Sequence, residues 1–431
     1  MTRSTRQRTR LSAEASAPKR SNVSEDIPSY ESQFDINNIV KLTYGTSKGC
    51  FLGVNAISKF AEILDDLKPS GLGFVCSKGA YKISGCWAAI EPMIKERSIP
   101  FKLYDQVVAN PTETNVTEAV NLFREVYDEN FVIVGIGGGS PLDAAKSIAV
   151  LLEHGDKTVE ELYMHKFTAE RAAKLVAVNL TAGTGSECDM FAVVSLLKQN
   201  PPVKPVLASK VIHPVYSIDD PALMTTLPWS QTLYTALDLL NHIMESCTTT
   251  VRTPFSGSLS QDCVRLTAKY LPIALKDLTN LEARYWLMYS AAAAGMSFNE
   301  SLLHATHAIE HSLSAKITDL AHGLGLSLIM PAVMKHIWPV TGGVLAFVFK
   351  PILGDSFTGA KSEAEAAAKA LRAWMEGVGM NETLTTVGFT IDQVPELVEM
   401  TRKCPGMNGL LSLCPVEVTD DVIREILESS F

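Results

Sequence analysis

The chain has 431 residues, 46% apolar and 20% charged, which is too long and too apolar for a disordered segment or a disulfide-stapled miniprotein. About two domains are expected from that length. Lys and Arg number 38 against 47 Asp and Glu, a net charge of −9, which argues against a general nucleic-acid binder because neutralising phosphates takes a surplus of cations and points instead to small ligands.

The first residues break from that balance. Arg3, Arg6, Arg8, Arg10, Lys19 and Arg20 face only Glu14 among many Ser and Thr, so residues 1–33 are expected to form a basic, disordered tail. An organelle transit peptide is the alternative, but the segment lacks an amphipathic apolar face, and it has no apolar stretch for secretion. Eight cysteines, at 50, 76, 86, 188, 247, 263, 404 and 414, include no CxxC pair, unlike a zinc ribbon or a secreted disulfide framework. Reduced thiols and a cytoplasmic location are expected. Apolar runs such as Gly323 to Met334 fall short of the roughly 18 residues of a membrane span, so no membrane segment is expected either.

From Val40 to Asp219, β-rich runs at 71–76, 131–136 and 174–180 alternate with helical stretches. That alternation predicts a parallel sheet with crossover helices. From Pro221 onward apolar residues recur every three or four positions among many alanines, as at 289–294 and 360–375, so the remainder should be helical. The expected division is an α/β domain over 34–220 and an all-helical domain over 221–431, parted where Pro221 closes the last strand-like segment.

The run Phe131 to Ile136 opens into Gly137-Gly138-Gly139-Ser140-Pro141-Leu142-Asp143 and then an apolar helical pattern. Glycines let backbone amides approach an anion, and the helix adds the positive end of its dipole. Ser140 as N-cap, Pro141 at the first helical position and Asp143 three residues after the cap would specify the helix start. A glycine-rich turn that binds nothing is the competing reading. A second polar turn, Thr181-Ala182-Gly183-Thr184-Gly185-Ser186-Glu187, follows the next strand-like run, and sheet topology would bring it to the same carboxyl edge. Two such loops favour a bound phosphate.

Four of the nine histidines, His304, His307, His311 and His322, fall within nineteen residues. Asp238 and His242 lie four apart on an earlier predicted helix and share one of its faces. There the apolar stripe Leu233, Leu237, Leu240, Met244 and Cys247 leaves Asp238, Asn241, His242 and Glu245 on another side. By spacing alone, a solvated polar face is the favoured reading of that side. His307 and His311 make a second pair of the same spacing, and His322 precedes Gly323, where a loop could swing back. One carboxylate with three imidazoles suits Fe(II) or Zn(II) and leaves a coordination position for substrate.

Seven segments now stand in order: Asn110-Pro111-Thr112 with Asn115, the turn at 137–146, the loop at 181–187, Ile218-Asp219-Asp220-Pro221, the Asp238/His242 pair, His307 with His311, and His322-Gly323 ahead of an apolar run ending at Pro331. Together they resemble the iron-dependent (group III, iron-containing) alcohol dehydrogenases over nearly the whole chain. The resemblance implies a Rossmann-like N-terminal domain and an all-α C-terminal domain, the dehydroquinate synthase-like architecture, with the active site in the cleft between them. It implies Asp238, His242, His307 and His322 as ligands of Fe(II) or Zn(II), and His311 as a catalytic proton-relay residue near the nicotinamide. Gly138, Gly139 and Ser140 would hold the pyrophosphate and Thr181, Thr184 and Lys204 the adenosine and ribose, with Ser77, Asn110, Asp143 and Gly185 completing the NAD(P) site.

Ser77 and Lys78 stand where the family often has an Asp that disfavours a 2′-phosphate. Losing that carboxylate lifts a repulsion and tilts the expectation toward NADP(H). Ala236 and Ala321 also replace residues more typical of the motif. The implied reaction is hydride transfer between nicotinamide and a small primary alcohol or aldehyde, carried out by a homodimer. A glycerol-phosphate dehydrogenase or sugar-phosphate cyclase on the same fold is one alternative; it wants cations for a substrate phosphate, and near the histidines only Lys316 and Lys335 are candidates. A non-catalytic nucleotide-binding or assembly protein is the other, and the intact ligand set argues against it.

Overall fold

The segment Val132–Gly137 is buried at every position, as a strand covered by helices on both faces must be. The computed structural model describes residues 36–431 apart from Thr43 and Thr46; the basic tail expected over 1–33 lies outside the described residues. Strands β1 Val40–Leu42, β2 Gly49–Leu52, β3 Leu72–Ser77, β4 Phe101–Val107, β5 Val132–Gly137, β6 Lys174–Asn179, β7 Phe191–Val193, β8 Val206–Ala208 and β9 Tyr216–Asp219 follow in chain order. Seven of them build one sheet in the order β1-β2-β9-β6-β5-β3-β4, while β7 and β8 form a separate antiparallel ribbon. Among the described residues of the large sheet only β1 runs antiparallel to its neighbour.

The three runs expected as strands are β3, β5 and β6. They lie side by side, Phe74 pairing with Val134 and Val134 with Val176. Ser77, Gly137 and Asn179 therefore finish at one carboxyl edge, the side of an open parallel sheet where ligands bind. Helices α1 Phe60–Leu67, α2 Ala80–Ile83, α3 Cys86–Glu96, α4 Glu113–Arg124, α5 Gly139–Glu153 and α6 Val159–Tyr163 connect these strands. Alternate strand residues enter opposite layers, as the pleat requires: Phe74, Val134 and Val178 pack with Phe60 and Ile90, whereas Val75, Ile133 and Leu175 pack with Phe123 and Ile148.

After Asp219 come α7 Trp229–Thr248, α8 Pro254–Lys276, α9 Leu281–Ser301, α10 Ala305–Lys316, α11 His322–Val348, α12 Lys350–Leu353, α13 Ala364–Gly377, α14 Val394–Lys403, α15 Met407–Ser412 and α16 Asp420–Glu428. Helix α7 packs against α8, α9 and α11, so Asp238, Asn241, His242 and Glu245 are all buried. The solvated-face reading of that side fails because the helix has partners all round. A second difference concerns α11, which is long and apolar enough by length and composition to cross a membrane. It outruns the apolar stretch Gly323 to Met334 by continuing past Pro339 to Val348. Its contacts with α7, α10 and α13 make it a core helix.

Candidate active site and metal centre

Helix α7 carries Asp238 and His242, α10 carries His307 and His311, and His322 opens α11. Where these three helices meet, Asp238, His307 and His322 each bring a ligand atom to within 4.8 Å of the other two. His242 adjoins the set without belonging to that tight group: its Nε2 lies 3.5 Å from Asp238 Oδ1, and its ring stacks on that of His307 at 4.8 Å between centroids. His311 reaches the same place from the His322 side, with ring centroids 5.6 Å apart. Asp238 Oδ1 and His307 Nε2 face each other at 3.9 Å, are buried, and have no hydrogen-bond partner. A buried lone pair left unpaired is costly. Two of them sharing one space fit a cation.

The electrostatics agree. Burial pushes the Asp238 carboxyl up to about 7, against the opposing pull of His307, so the carboxylate lacks a compensating charge. Burial also holds His242, His311 and His322 well below the usual imidazole range, which keeps them neutral, the form that ligates metals. His307 differs, because Glu245 overrides the effect of burial and raises it.

Two carboxylates absent from the expected site orient these rings. Glu245 Oε2 meets His307 Nδ1, while Glu245 Oε1 accepts from the backbone N–H of Thr306 at 2.7 Å and of His304 at 3.1 Å. Glu310 Oε2 meets His322 Nδ1. Lys204, expected along the adenosine and ribose, instead puts its ammonium at the histidine end. It donates to Asn110 Oδ1 and Ser314 Oγ, each at 2.8 Å, and lies 3.6 Å from Glu310. Its carbonyl accepts from His311 Nδ1 at 2.7 Å. Asn110, expected to touch cofactor, spends its amide nitrogen on the carbonyls of Thr318 and Leu320, both at 2.9 Å, and so anchors the loop that leads to His322.

The nucleotide cradle forms at the carboxyl edge of β5. Helix α5 begins at Gly139, and its N-cap is Gly138 with no side-chain cap, which corrects the expected start at Ser140 and Pro141. Asp143 does not cap the helix either: Ser186 Oγ donates to it at 2.7 Å and the Val193 amide at 2.9 Å. The pull of the second loop on that carboxylate explains the shift, and it leaves first-turn amides unclaimed by any side chain. The two glycine loops also touch. A β-carbon on Gly138 would lie 2.7 Å from Thr181 Cγ2, and one on Gly139 2.7 Å from Thr184 Cγ2. Gly185, at φ +66°, completes the second loop, and Ser77 ends the neighbouring strand β3.

One cleft joins these parts. Gly139, Ser140, Asp143 and Thr184 line one end, and Asp238, His242, His307, His311 and His322 the other, with Phe298, Leu302, Leu303 and Leu410 as an apolar wall. Lys316 and Lys335 are bound to Glu396 and Glu365, each at 2.7 Å, so neither is free for a substrate phosphate. Elsewhere Cys50, Cys188 and Asp219 also cluster within 4.8 Å, but there the Cys50 thiol donates to Asp219 at 3.3 Å, a bond between protonated and acceptor groups that needs no ion.

Two family models cover this architecture: iron-containing alcohol dehydrogenase matches residues 48–221, and the Fe-containing alcohol dehydrogenase family C-terminal model matches 232–431. The long-chain primary alcohol dehydrogenase AdhA of Thermoanaerobacter ethanolicus is 44% identical over 93% of this chain and all of that protein. The NADPH-dependent butanol dehydrogenase of Clostridium saccharobutylicum is 30% identical over 64% of this chain and 69% of its own length. Among solved structures, NADH-dependent butanol dehydrogenase A of Thermotoga maritima superposes with a TM-score of 0.81 at 26% identity, covering 92% of this chain and 99% of that one. With both halves matched and the histidine-lined cleft between the two glycine loops and the helices, this chain belongs to the iron-containing alcohol dehydrogenase family and is an NAD(P)-linked alcohol dehydrogenase.

Proposed function

We propose that Asp238, His242, His307 and His322 hold one Fe(II) at the inner end of the cleft, and that the nicotinamide of NADP(H) lies beside it while a small unbranched primary alcohol or aldehyde occupies the apolar wall. The observation that carries this is the facing pair of unpartnered atoms, Asp238 Oδ1 and His307 Nε2. When bound, the metal supplies Lewis acidity to the alcohol or carbonyl oxygen, and the nicotinamide supplies or takes the hydride.

The chain's own residues do the rest. Glu245 and Glu310 fix which ring nitrogen of His307 and His322 points inward. The bond from His311 Nδ1 to the Lys204 carbonyl leaves Nε2 as the nitrogen that takes the alcohol proton, and burial keeps that ring neutral and ready for it. The open amides at the start of α5 receive the pyrophosphate. Phe298, Leu302 and Leu303 exclude water and align the carbon chain. For the coenzyme, the absence of a carboxylate at Ser77, with Lys78 beside it, supports NADP(H). Eight free cysteines support a reducing, cytoplasmic setting, and a homodimer is the assembly that the resemblance implies.

Asp238→Ala tests the centre. Iron measured on the purified protein should fall away, and alcohol oxidation should drop by more than the roughly 100-fold that losing an outer partner costs; iron retained at wild-type content would refute the ligand set. Ser77→Asp tests the coenzyme, and kcat/KM for NADP should fall about 10-fold or more relative to NAD as a carboxylate meets the 2′-phosphate.

A further inference from the structure

The apolar wall facing the histidines contains a backbone anomaly. Leu302, immediately after α9, has φ 60° and ψ 172°, a region that glycine alone enters without strain. The conformation is imposed from both sides. The Leu302 amide donates to the Phe298 carbonyl at 2.7 Å. Beyond it, Glu245 on α7 takes the amides of His304 and Thr306, and the buried ring of His304 sits 2.9 Å from Thr248 Oγ1. Helix α7 thus clamps the link between α9 and α10, and a glycine at 302 would fit the clamp freely. What leucine adds is an isobutyl group at a position that lines the cleft together with Phe298, whose ring centroid is 4.5 Å from that of His242.

We propose that Leu302 is a specificity-determining residue: its side chain narrows the cleft close to the reacting carbon, so that unbranched primary alcohols enter and those branched beside the carbinol carbon are rejected. This refines the substrate class of the dehydrogenase reading and rests on it. Phe298, Leu302 and Leu303 carry no side-chain hydrogen-bond group, so selection there is by shape. In an apolar pocket one methylene too many or too few changes discrimination by about 10–200-fold.

The experiment compares wild type, Leu302→Ala, Leu302→Gly and Leu302→Met, all iron-loaded, by kcat/KM on 1-butanol and 2-methyl-1-propanol and by thermal midpoint. In the Ala and Gly variants the ratio of branched to unbranched alcohol should rise about 10-fold or more, while Leu302→Met, of similar volume, should keep the wild-type ratio. Leu302→Gly should also melt above Leu302→Ala, the reverse of the usual order, because only glycine relieves the backbone. Activity changing equally on both alcohols overturns the proposal, as does the glycine variant melting below the alanine variant. If only Leu302→Met folds, a shifted ratio in that variant overturns it too. Wild type that binds iron and turns over neither alcohol overturns the small-alcohol reading of the cleft, and this inference with it.

Discussion

Glu245 is fully buried, and burial alone would raise its carboxyl; His307 and His304 together with the Thr306 amide pull it down instead, to about 2. It therefore stays ionised and holds His307 in one orientation, and Glu310 Oε2 makes the matching contact with His322 Nδ1. Replacing either by glutamine keeps the volume but removes the charge that fixes the ring. Glu245→Gln and Glu310→Gln should each weaken iron binding by about 10- to 100-fold, which a chelator competition titration reads directly; unchanged affinity in both would mean the rings need no such partners. At this scale the sequence shows less than the structure. Spacing along α7 places Glu245 beside His242, and Glu310 sits inside the histidine run. Which carboxylate reaches which ring depends on how α7, α10 and α11 cross, and no local pattern encodes that. The resemblance implies Lys204 along the adenosine and ribose, and only the fold, which brings its ammonium between Asn110 and Ser314, shows that it reaches the histidines.

Helices α7 and α11 approach each other more closely than side chains allow. A β-carbon on Gly323 would stand 2.0 Å from the Tyr234 carbonyl oxygen and 3.1 Å from Asp238 Cβ, so the absent side chain is what lets His322 sit beside Asp238. Gly323→Ala must push the two helices apart, because the obstacle is backbone and cannot rotate away. We expect a loss of about 3 kcal/mol, the upper end for overpacking, together with loss of iron at unchanged secondary structure by circular dichroism. Gly343, later in α11, is the internal control. Nothing lies within 4 Å of its missing β-carbon, so Gly343→Ala should leave iron binding intact and raise stability by up to about 1 kcal/mol, the helix-propensity difference. Elements were the most legible level of the sequence: β3, β5 and β6 follow from their continuous apolar runs, and α7 from its stripe. The start of α5 is not legible locally: Ser140, Pro141 and Asp143 satisfy the rules for a cap, while a long-range bond from Ser186 claims the Asp143 carboxylate.

At the scale of the whole molecule, the same burial that assembles the site leaves acids enclosed where β2, β9 and α9 meet. Asp219 accepts from Asn179 Nδ2 at 3.2 Å and from the Cys50 thiol, and Glu187 is buried with neither carboxyl oxygen bonded. Burial raises Asp219, Glu187 and Cys188, and the hydrogen bond with Cys188 followed by burial raises Cys50, each worsened by its acidic neighbours. For an acid whose folded pKa is raised, the folded state keeps a proton that the unfolded chain has released. Its contribution is complete below the ordinary value of 3.8 for Asp219 and is lost as pH climbs toward the raised value, at up to about 1.4 kcal/mol per pH unit for each group. Glu245 works the other way: lowered to about 2, it loses its contribution only as pH falls below the ordinary value of 4.5. The iron-loaded enzyme should accordingly melt highest near mildly acidic pH and lose several degrees by pH 8. Asp219→Asn removes one of the enclosed acids, retains an oxygen for Asn179, and lies outside the metal ligands. Its thermal midpoint should fall less between pH 5 and pH 8 than that of wild type, at equal iron content. Parallel curves for the two proteins would show that the enclosed acids do not set the pH dependence, and that the seam between sheet and helices tolerates their charge.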